Sequence, residues 1–322
     1  MRKFFPDYII ITLKGLAMGA ADIVPGVSGG TIAFISGIYQ ELIDSINKVN
    51  LSVLKTLKRE GVKAAWHQIN GSFLLALLTG IGISVLTFSK VITHLLETQP
   101  ILVWSFFFGL IIASITLIWK EIANLKLVDV LFLLIGIAVS YFITIARPVS
   151  SPESYWYIFL SGFIAIIAMI LPGISGAFIL LLMGSYETVI GTVNQFRDGI
   201  TSANPEILTQ AFLKLSLFAI GAIIGLKSFS KILHWMFANH KNTTLTLLIG
   251  FMIGSLNKVW PWKQVIETRI NSHGKVVPFL EKSIFPQNFD GQSQIVMAII
   301  LAVLGFLVIF TMEKIASKLR KN

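Results

Sequence analysis

The chain has 322 residues, of which 55% are hydrophobic and only 13% are charged, and its formal net charge is +10. About 25% of the residues of a soluble domain are charged, and a folded chain of this length cannot bury so large an apolar fraction, since its surface still scales with its mass. This composition excludes a soluble enzyme, a nucleic-acid-binding protein and a disordered chain, and the positive charge indicates the cytoplasmic loops of a membrane protein. Continuous apolar runs of about 16 to 25 residues, close to the length of a membrane-crossing helix, also exclude a β-barrel.

The first apolar stretch, 9–46, is interrupted in its middle by Pro25-Gly26-Val27-Ser28-Gly29-Gly30. Proline removes a backbone donor and glycine loosens the chain, so we expect one helix to end before the break and another to begin after it. The two half-segments, of about 16 residues each, are short for a membrane crossing. This length favours a re-entrant hairpin that returns to its own side, although two full crossings would give the same sidedness.

The rest of the chain is predicted to contain six spans and a second broken stretch. A second hairpin at 156–190 is interrupted by Pro172-Gly173-Ile174-Ser175-Gly176. A polar insert, 258–293, separates the last two spans. The spans are predicted at 72–96, 101–119, 128–146, 211–237, 244–257 and 294–312.

The second half of the chain repeats the first. Residues 15–47 align without a gap on 162–194 with 12 identities in 33 positions, and the identities include the Pro-Gly and Ser-Gly pairs. A second match places Phe88-Ser89-Lys90 on Phe229-Ser230-Lys231, and a weaker match places 128–146 on 294–312. Shared apolar composition does not explain Pro, Ser, Lys and Tyr at fixed spacing. We therefore predict a duplication, a feature to be sought before any other, with a first repeat at 1–146 and a second at 147–322.

The charge pattern predicts that the two repeats are inverted. A re-entrant hairpin and three spans make an odd number of crossings, so the second repeat would lie upside down in the membrane. The N-terminus, the segment after the first hairpin and the C-terminal tail are rich in Lys and Arg and then share one side, which the positive-inside rule makes cytoplasmic. The expected fold is thus an all-α polytopic membrane protein with cytoplasmic termini and an extracytoplasmic insert, whose net charge of +2 fits this rule less well.

The two interruptions form the predicted binding site. Irregular backbone at membrane depth is tolerated only where protein buries it or where it lines a wet cavity. A helix that restarts after Ser-Gly presents unpaired N–H groups and the positive end of its dipole, which suits an anion such as phosphate. A single Pro-Gly pair would more simply indicate a kink, but the duplication favours two half-helices meeting near the midplane. The predicted ligands are Pro25, Gly26, Ser28, Gly29, Gly30 and Thr31, together with Pro172, Gly173, Ser175 and Gly176.

Ionisable residues within apolar segments are further candidates, because charge is costly in the bilayer. Lys14 and Asp22 lie eight positions apart, roughly on one helical face where they could pair, and have no charged equivalents in the second repeat. Lys14 is a candidate substrate ligand. Lys90 and Lys231 are a matched pair that could bind an anionic headgroup, or could instead extend to lipid phosphates. If transport is coupled to protons or cations, the coupling or gating candidates are Asp22, Tyr39, Glu41, Tyr186 and Glu187, of which the two glutamates could also be plain interfacial residues.

The sequence predicts neither a metal nor a cofactor. The chain contains no cysteine, which excludes disulfides and thiolate ligands. His94, His234 and His240 are scattered without the spacing of metal ligands. The oligomeric state cannot be read from the sequence.

The segment from Met18 to Thr31, with Ile170-Leu171-Pro172-Gly173-Ile174-Ser175-Gly176 in the second half, resembles the bacterial polyprenyl-phosphate transporter family. The resemblance covers essentially the whole chain. It implies a flippase in the bacterial cytoplasmic membrane that returns undecaprenyl phosphate, a C55 lipid carrier, from the outer to the inner leaflet for reuse in cell-wall polymer synthesis.

The same motif is similar, more distantly, to that of undecaprenyl-diphosphate phosphatase, which has a Pro-Gly-x-Ser-Arg-Ser-Gly segment. Here the arginine is absent, because Gly29 and Gly30 follow Ser28 and Gly176 and Ala177 follow Ser175. The paired-glutamate motif is missing too, with only Asp22 nearby. Phosphoryl transfer needs charge stabilisation and a positioned base. The sequence therefore favours binding over cleavage. A lipid-diphosphate phosphatase and a small-anion transporter on the same scaffold are the alternatives.

Overall fold

The computed structural model describes residues 5–24, 27–149, 152, 154–202, 204–270 and 276–321. These residues form α-helices, one two-stranded antiparallel sheet and a short 3-10 turn at Pro286–Asn288. In the first half the helices are α1 (Phe5–Ile23), α2 (Gly29–Ile35), α3 (Tyr39–Lys48), α4 (Leu51–Gln68), α5 (Gly71–Thr98), α6 (Pro100–Trp119) and α7 (Leu127–Ile145). In the second half they are α8 (Tyr155–Ile170), α9 (Gly176–Leu182), α10 (Tyr186–Thr201), α11 (Pro205–Asn239), α12 (Lys241–Ser255) and α13 (Ile295–Lys321), with strands β1 (Lys263–Ile270) and β2 (Val276–Ser283) before α13.

The helices confirm an all-α polytopic membrane protein. Each of the six predicted spans falls on one helix, and within the described residues four helices, α5, α6, α7 and α11, are long and apolar enough to cross a membrane. The 15 residues of α12 rise only about 22 Å at 1.5 Å per residue, less than the ~30 Å of a bilayer core. The apolar part of α13, Ile295–Thr311, is also short for a crossing.

Both broken stretches fold back on themselves. In the first, the ammonium of Lys14 donates to the carbonyl of Ser36 at 2.5 Å, and the amide of Gly29 donates to the carboxylate of Asp22 at 2.6 Å. These two contacts lie at opposite ends of α2, so α2 runs antiparallel to α1.

The second hairpin has the same shape. The hydroxyl of Tyr157 donates to the carbonyl of Met183 at 2.8 Å, and Ser161 and Ser185 share a hydrogen bond of 2.8 Å, which brings the end of α9 back beside α8. The next helix, α10, is bent by 106° from α9. This geometry fits the hairpins expected from the sequence, and their depth in a bilayer stays a prediction.

Glycines allow the helices to pack closely at equivalent positions of the two repeats. A Cβ on Gly15 or Gly80 would collide with backbone across the α1–α5 contact. A Cβ on Gly162 or Gly221, their counterparts in the sequence match, would collide with backbone across the α8–α11 contact. Each hairpin is thus fastened to the long helix of its own repeat through backbone contact.

The remaining helices pair across the repeats. Helix α6 packs along α13, where Gly109 lies against the backbone of Ala302, and α12 packs along α7, where Gly250 lies against Gly136. Gly136 and Ala302 are 166 positions apart, the same shift that aligns 128–146 with 294–312. Gly109 and Gly250, which the sequence match pairs, therefore make equivalent contacts. Each contacts a helix of the opposite half: Gly109 contacts α13, and Gly250 contacts α7.

Two elements were not predicted. The Lys-rich segment after the first hairpin forms α4, which is broken at Gly61, where φ is +83°. The insert forms a β-hairpin in which Lys263 of β1 pairs with Ser283 of β2. Neither element contains a long apolar run, so the apolar pattern of the sequence did not predict them.

Candidate functional site

The two interruptions lie in direct contact. The hydroxyl of Ser28 donates to the carbonyl of Met169 at 3.0 Å, and the hydroxyl oxygen of Thr31 accepts from the amide of Gly173 at 2.9 Å. Both hydroxyl side chains are buried. Two polar residues predicted as anion ligands therefore join one hairpin to the other in this conformation.

Tyr39 extends this junction. Its ring is only 2% exposed and packs edge-on against Phe34 and Phe237. Its hydroxyl donates to the carbonyl of Ile170 at 3.2 Å, at the end of α8. Tyr39 thus donates a hydrogen bond to a carbonyl at the end of α8, where no following helical turn supplies an amide donor.

The start of α2 is already bound by protein groups. The amide of Gly29 donates to the carboxylate of Asp22 at 2.6 Å, and the amide of Gly30 donates to the hydroxyl of Ser28 at 3.1 Å. A Cβ on Gly29 would lie 2.5 Å from the Asp22 carboxylate, so a larger residue there would displace that carboxylate. The expectation of bare amides is therefore not met in the first hairpin, because Asp22 accepts from the amide of Gly29 and Ser28 accepts from the amide of Gly30.

The second hairpin is more open. Met169 replaces the carboxylate of Asp22, Gly176 is partly exposed and Ala177 is exposed. A small open cavity lies beside this interruption. Its lining includes Gly173 and Ser175 from the predicted motif. Gly173 has φ of +85°, a conformation that favours glycine.

The cavity has polar lining that the motif alone does not supply. Ser140 and Thr144 of α7 and Lys258, just after α12, also line it. Ser140 could have been suspected as a polar residue within an apolar span. The position of Lys258 depends on tertiary packing, so no local pattern indicated it.

The other predicted residues lie away from this cavity or serve different contacts. Lys90 and Lys231 are exposed on α5 and α11. Glu41 accepts a hydrogen bond from Asn70 at 3.0 Å. Pro25 and Gly26 lie outside the described residues. Their roles as ligands stay predictions.

Tyr186 and Glu187 contact the insert. The guanidinium of Arg269 lies 5.2 Å from the centre of the Tyr186 ring and forms an ion pair with Glu187. Tyr39 and Tyr186 occupy matched positions in the repeat, yet one joins the hairpins and the other faces β1. Within the described ranges, no three His, Asp or Glu side chains are grouped so as to hold a metal ion.

These features define a multi-pass helical membrane protein in which two broken hairpins meet at their interruptions and a small open cavity lies beside one of them. Secondary transporters place discontinuous helices around their substrates in this manner.

The chain belongs to the VCA0040-like family, described as undecaprenyl phosphate translocase-like, whose sequence profile matches residues 18–277. It is 44% identical over 316 residues to a polyprenyl-phosphate transporter of Vibrio cholerae serotype O1, a match that covers 97% of this chain and 98% of the relative. It is 32% identical over 263 residues to a polyprenyl-phosphate transporter of Staphylococcus aureus, covering 77% of this chain and 85% of that protein. No solved structure matches the chain.

Proposed function

We propose that this protein is a flippase that moves undecaprenyl phosphate from the outer to the inner leaflet of the bacterial cytoplasmic membrane. The family and the names of its two relatives support the lipid phosphate as substrate. The observation that carries the proposal is the contact between the two interruptions, with a small cavity beside the second whose lining includes Ser175 and Lys258. The lipid carrier would then be available for another round of cell-wall polymer synthesis.

The phosphate headgroup binds at the second interruption in this conformation, while the isoprenoid tail stays in lipid. Ser175 and Phe178 line the cavity there, and the neighbouring Gly176 and Ala177 at the start of α9 are partly exposed and exposed, respectively. Hydroxyls and free amides are suitable donors to phosphate oxygens. The corresponding amide in the first hairpin, that of Gly29, is occupied by Asp22.

Asp22 is the gating residue of this scheme. Its carboxylate accepts the hydrogen bond from the Gly29 amide, at the start of α2, that a phosphate oxygen would otherwise accept. When the protein opens to the other side, the carboxylate moves away and the phosphate binds the amide of Gly29. Neutralising Asp22 with a proton or cation would ease that exchange, which makes it the first candidate for coupling.

The membrane topology completes the proposal. The two repeats are inverted, the termini are cytoplasmic and the insert is extracytoplasmic. The cavity is lined by the end of α7 and by Lys258 at the start of the insert, so in this proposed topology it faces the outer leaflet. Because the chain has no cysteine, single cysteines at Lys55 and Lys282 can be labelled in intact cells. An impermeant maleimide should label only Lys282→Cys.

A reconstitution assay tests the transport activity. Undecaprenyl phosphate is placed in both leaflets of liposomes, and an impermeant phosphatase is added outside. Protein-free vesicles should lose about half of the lipid phosphate, and vesicles with the protein should lose nearly all of it. Ser175→Ala and Asp22→Ala should slow the second half of the reaction, and the exposed Ser202→Ala should match the wild type. Equal rates for all variants would contradict the proposed site.

The same vesicles separate the two alternatives. Phosphate release without added phosphatase would identify an enzyme. Rapid uptake of inorganic phosphate, with no effect on the lipid, would identify a small-anion transporter. The absence of the arginine in the Pro-Gly-x-Ser segments favours transport over cleavage.

A further inference from the structure

We propose that Lys258 binds the phosphate monoester of the substrate in the cavity beside the second hairpin, and that Glu281 is the internal counterion that holds Lys258 while the site is empty. This inference rests on the proposed function and adds the insert to the binding site. The Pro-Gly-x-Ser-Gly motif by itself supplies only hydroxyl and amide donors, and Lys258 adds a positive charge to them.

Lys258 lies where such a cation is needed. It follows the end of α12 and lines the same cavity as Ser175. Its ammonium is 4.6 Å from the centre of the Phe178 ring, in the first turns of α9. The amide of Lys258 donates to the carbonyl of Ser255 at 2.8 Å, which fixes the backbone next to the helix end. The ammonium group therefore sits over the start of the half-helix that carries Ser175.

The cavity also contains an unused hydrogen-bond donor. Ser140 is 1% exposed, and its hydroxyl has no hydrogen-bond partner in the part of the chain that the structure describes. A buried polar group left unpaired costs stability, so it points to a ligand or a water. Thr144, which also lines the cavity, instead donates to the carbonyl of Tyr141 and accepts from the Asn257 amide, both at 2.7 Å. Ser140 and Lys258 are therefore the side chains best placed to bind an anion here.

The charges around the cavity favour an anion. Lys258 and Lys263 share one carboxylate, Glu281, at 3.3 and 3.7 Å. The three side chains are mostly buried, so when both lysines are protonated, two cations facing one acid leave an excess of positive charge that water screens poorly. A phosphate monoester supplies the missing negative charge and can accept hydrogen bonds from both the ammonium and the Ser140 hydroxyl.

Lys263 lets the cluster adjust its charge. Its side chain is 7% exposed and its ammonium lies 3.6 Å from the centre of the Trp104 ring. Burial lowers the pKa of Lys263 to about 7, although the nearby Glu281 opposes that shift. In Glu281, burial alone would raise the pKa, but the two lysines together lower it, so the carboxylate stays ionised. Glu281 can therefore pair with Lys263 when Lys258 turns to the phosphate.

Binding measurements on the full-length protein in detergent test this assignment. Isothermal titration compares farnesyl phosphate, farnesol and inorganic phosphate, which separates a lipid headgroup from the free anion. We expect wild-type protein to bind farnesyl phosphate at least tenfold more tightly than either of the others. Lys258→Met should weaken farnesyl phosphate binding by about tenfold to a hundredfold, the range expected for a charge-assisted hydrogen bond. Lys282→Met, an exposed lysine on the same insert, should stay within twofold of the wild type.

Two further variants separate binding from a purely structural ion pair. Glu281→Gln frees Lys258 and should tighten binding by about twofold to tenfold, whereas a structural pair would make it weaken binding as Lys258→Met does. The double variant Lys258→Met with Glu281→Gln removes both charges, so it should fold, as judged by size-exclusion chromatography, and still bind weakly. Ser140→Ala should weaken binding by about threefold to tenfold.

The outcomes are distinct. Wild-type binding that is unchanged in Lys258→Met overturns this inference and leaves the proposed function standing. No binding of farnesyl phosphate to the wild type overturns both. Inorganic phosphate that binds as tightly as farnesyl phosphate, with the same loss in Lys258→Met, supports the phosphate site and contradicts the lipid substrate.

Discussion

The carboxylate of Asp22 should contribute measurably to stability, because it is bound to the first amide of α2. That hydrogen bond is 2.6 Å long and Gly29 is buried. Hydrogen bonds to charged groups contribute roughly 1.5–3 kcal/mol, and neutral ones roughly 0.5–1.5 kcal/mol. Asp22→Ala leaves the amide of Gly29 without its acceptor and should lower the free energy of unfolding by about 1.5–3 kcal/mol. Asp22→Asn keeps an acceptor oxygen and should cost about half as much.

Thermal unfolding in detergent, followed by the fluorescence of the seven tryptophans, measures this effect. A loss of that size should lower the unfolding midpoint by several degrees, at about 2–4 °C per kcal/mol for large domains. Asp290→Ala removes the same charge from an exposed position of the insert and should leave the midpoint unchanged. If Asp22→Ala unfolds at the wild-type temperature, or if Asp22→Asn is as unstable as Asp22→Ala, the carboxylate does not cap α2.

Other predictions concern the hairpin junction, the helix packing and the insert. Tyr39→Phe removes the bond to Ile170 and should lower stability by about 0.5–1.5 kcal/mol in the same unfolding assay, whereas Tyr186→Phe should have no effect. Gly80→Val forces α1 away from α5 and should abolish monodisperse elution in size-exclusion chromatography, while Gly82→Val, where a Cβ meets open space, should elute normally. The pKa of Lys263 falls from 10.5 to about 7 on folding. The unfolded chain then binds more protons between these values, so stability should rise with pH from 7 to 10. Lys263→Met should flatten this rise in unfolding midpoints measured across that range, and an unchanged slope would count against burial of the ammonium.

The sequence predicts the hairpins well because the signals are local. Long apolar runs indicate helices, and Pro172-Gly173 indicates a break whatever surrounds it. The role of Asp22 could be predicted only in part. Its spacing from Lys14 indicated that both side chains lie on one face of α1, but not what each of them binds. Which end of α2 each side chain binds depends on how α2 folds back.

The remaining features depend on contacts between distant segments. The duplication matches Tyr39 with Tyr186, but a repeat says nothing about whether matched residues keep matched surroundings. Lys90 and Lys231 are likewise matched and exposed, so their use stays a prediction. Lys258 reaches the cavity only because α12 ends beside α7 and α9. No residue spacing in the sequence indicates that these three helices lie close together.

The crossed pairing of α6 with α13 and of α7 with α12 restricts how the protein can move. If each sequence half rocked as a solid block, both pairs would have to slide past backbone at Gly109 and Gly250, where no side chain separates the helices. We therefore expect the four crossed helices, of which α6 and α12 also contact each other, to move as one unit. If the protein opens alternately to the two sides, we expect α1 with α5 and α8 with α11, each pair joined to one interruption, to move relative to these four helices.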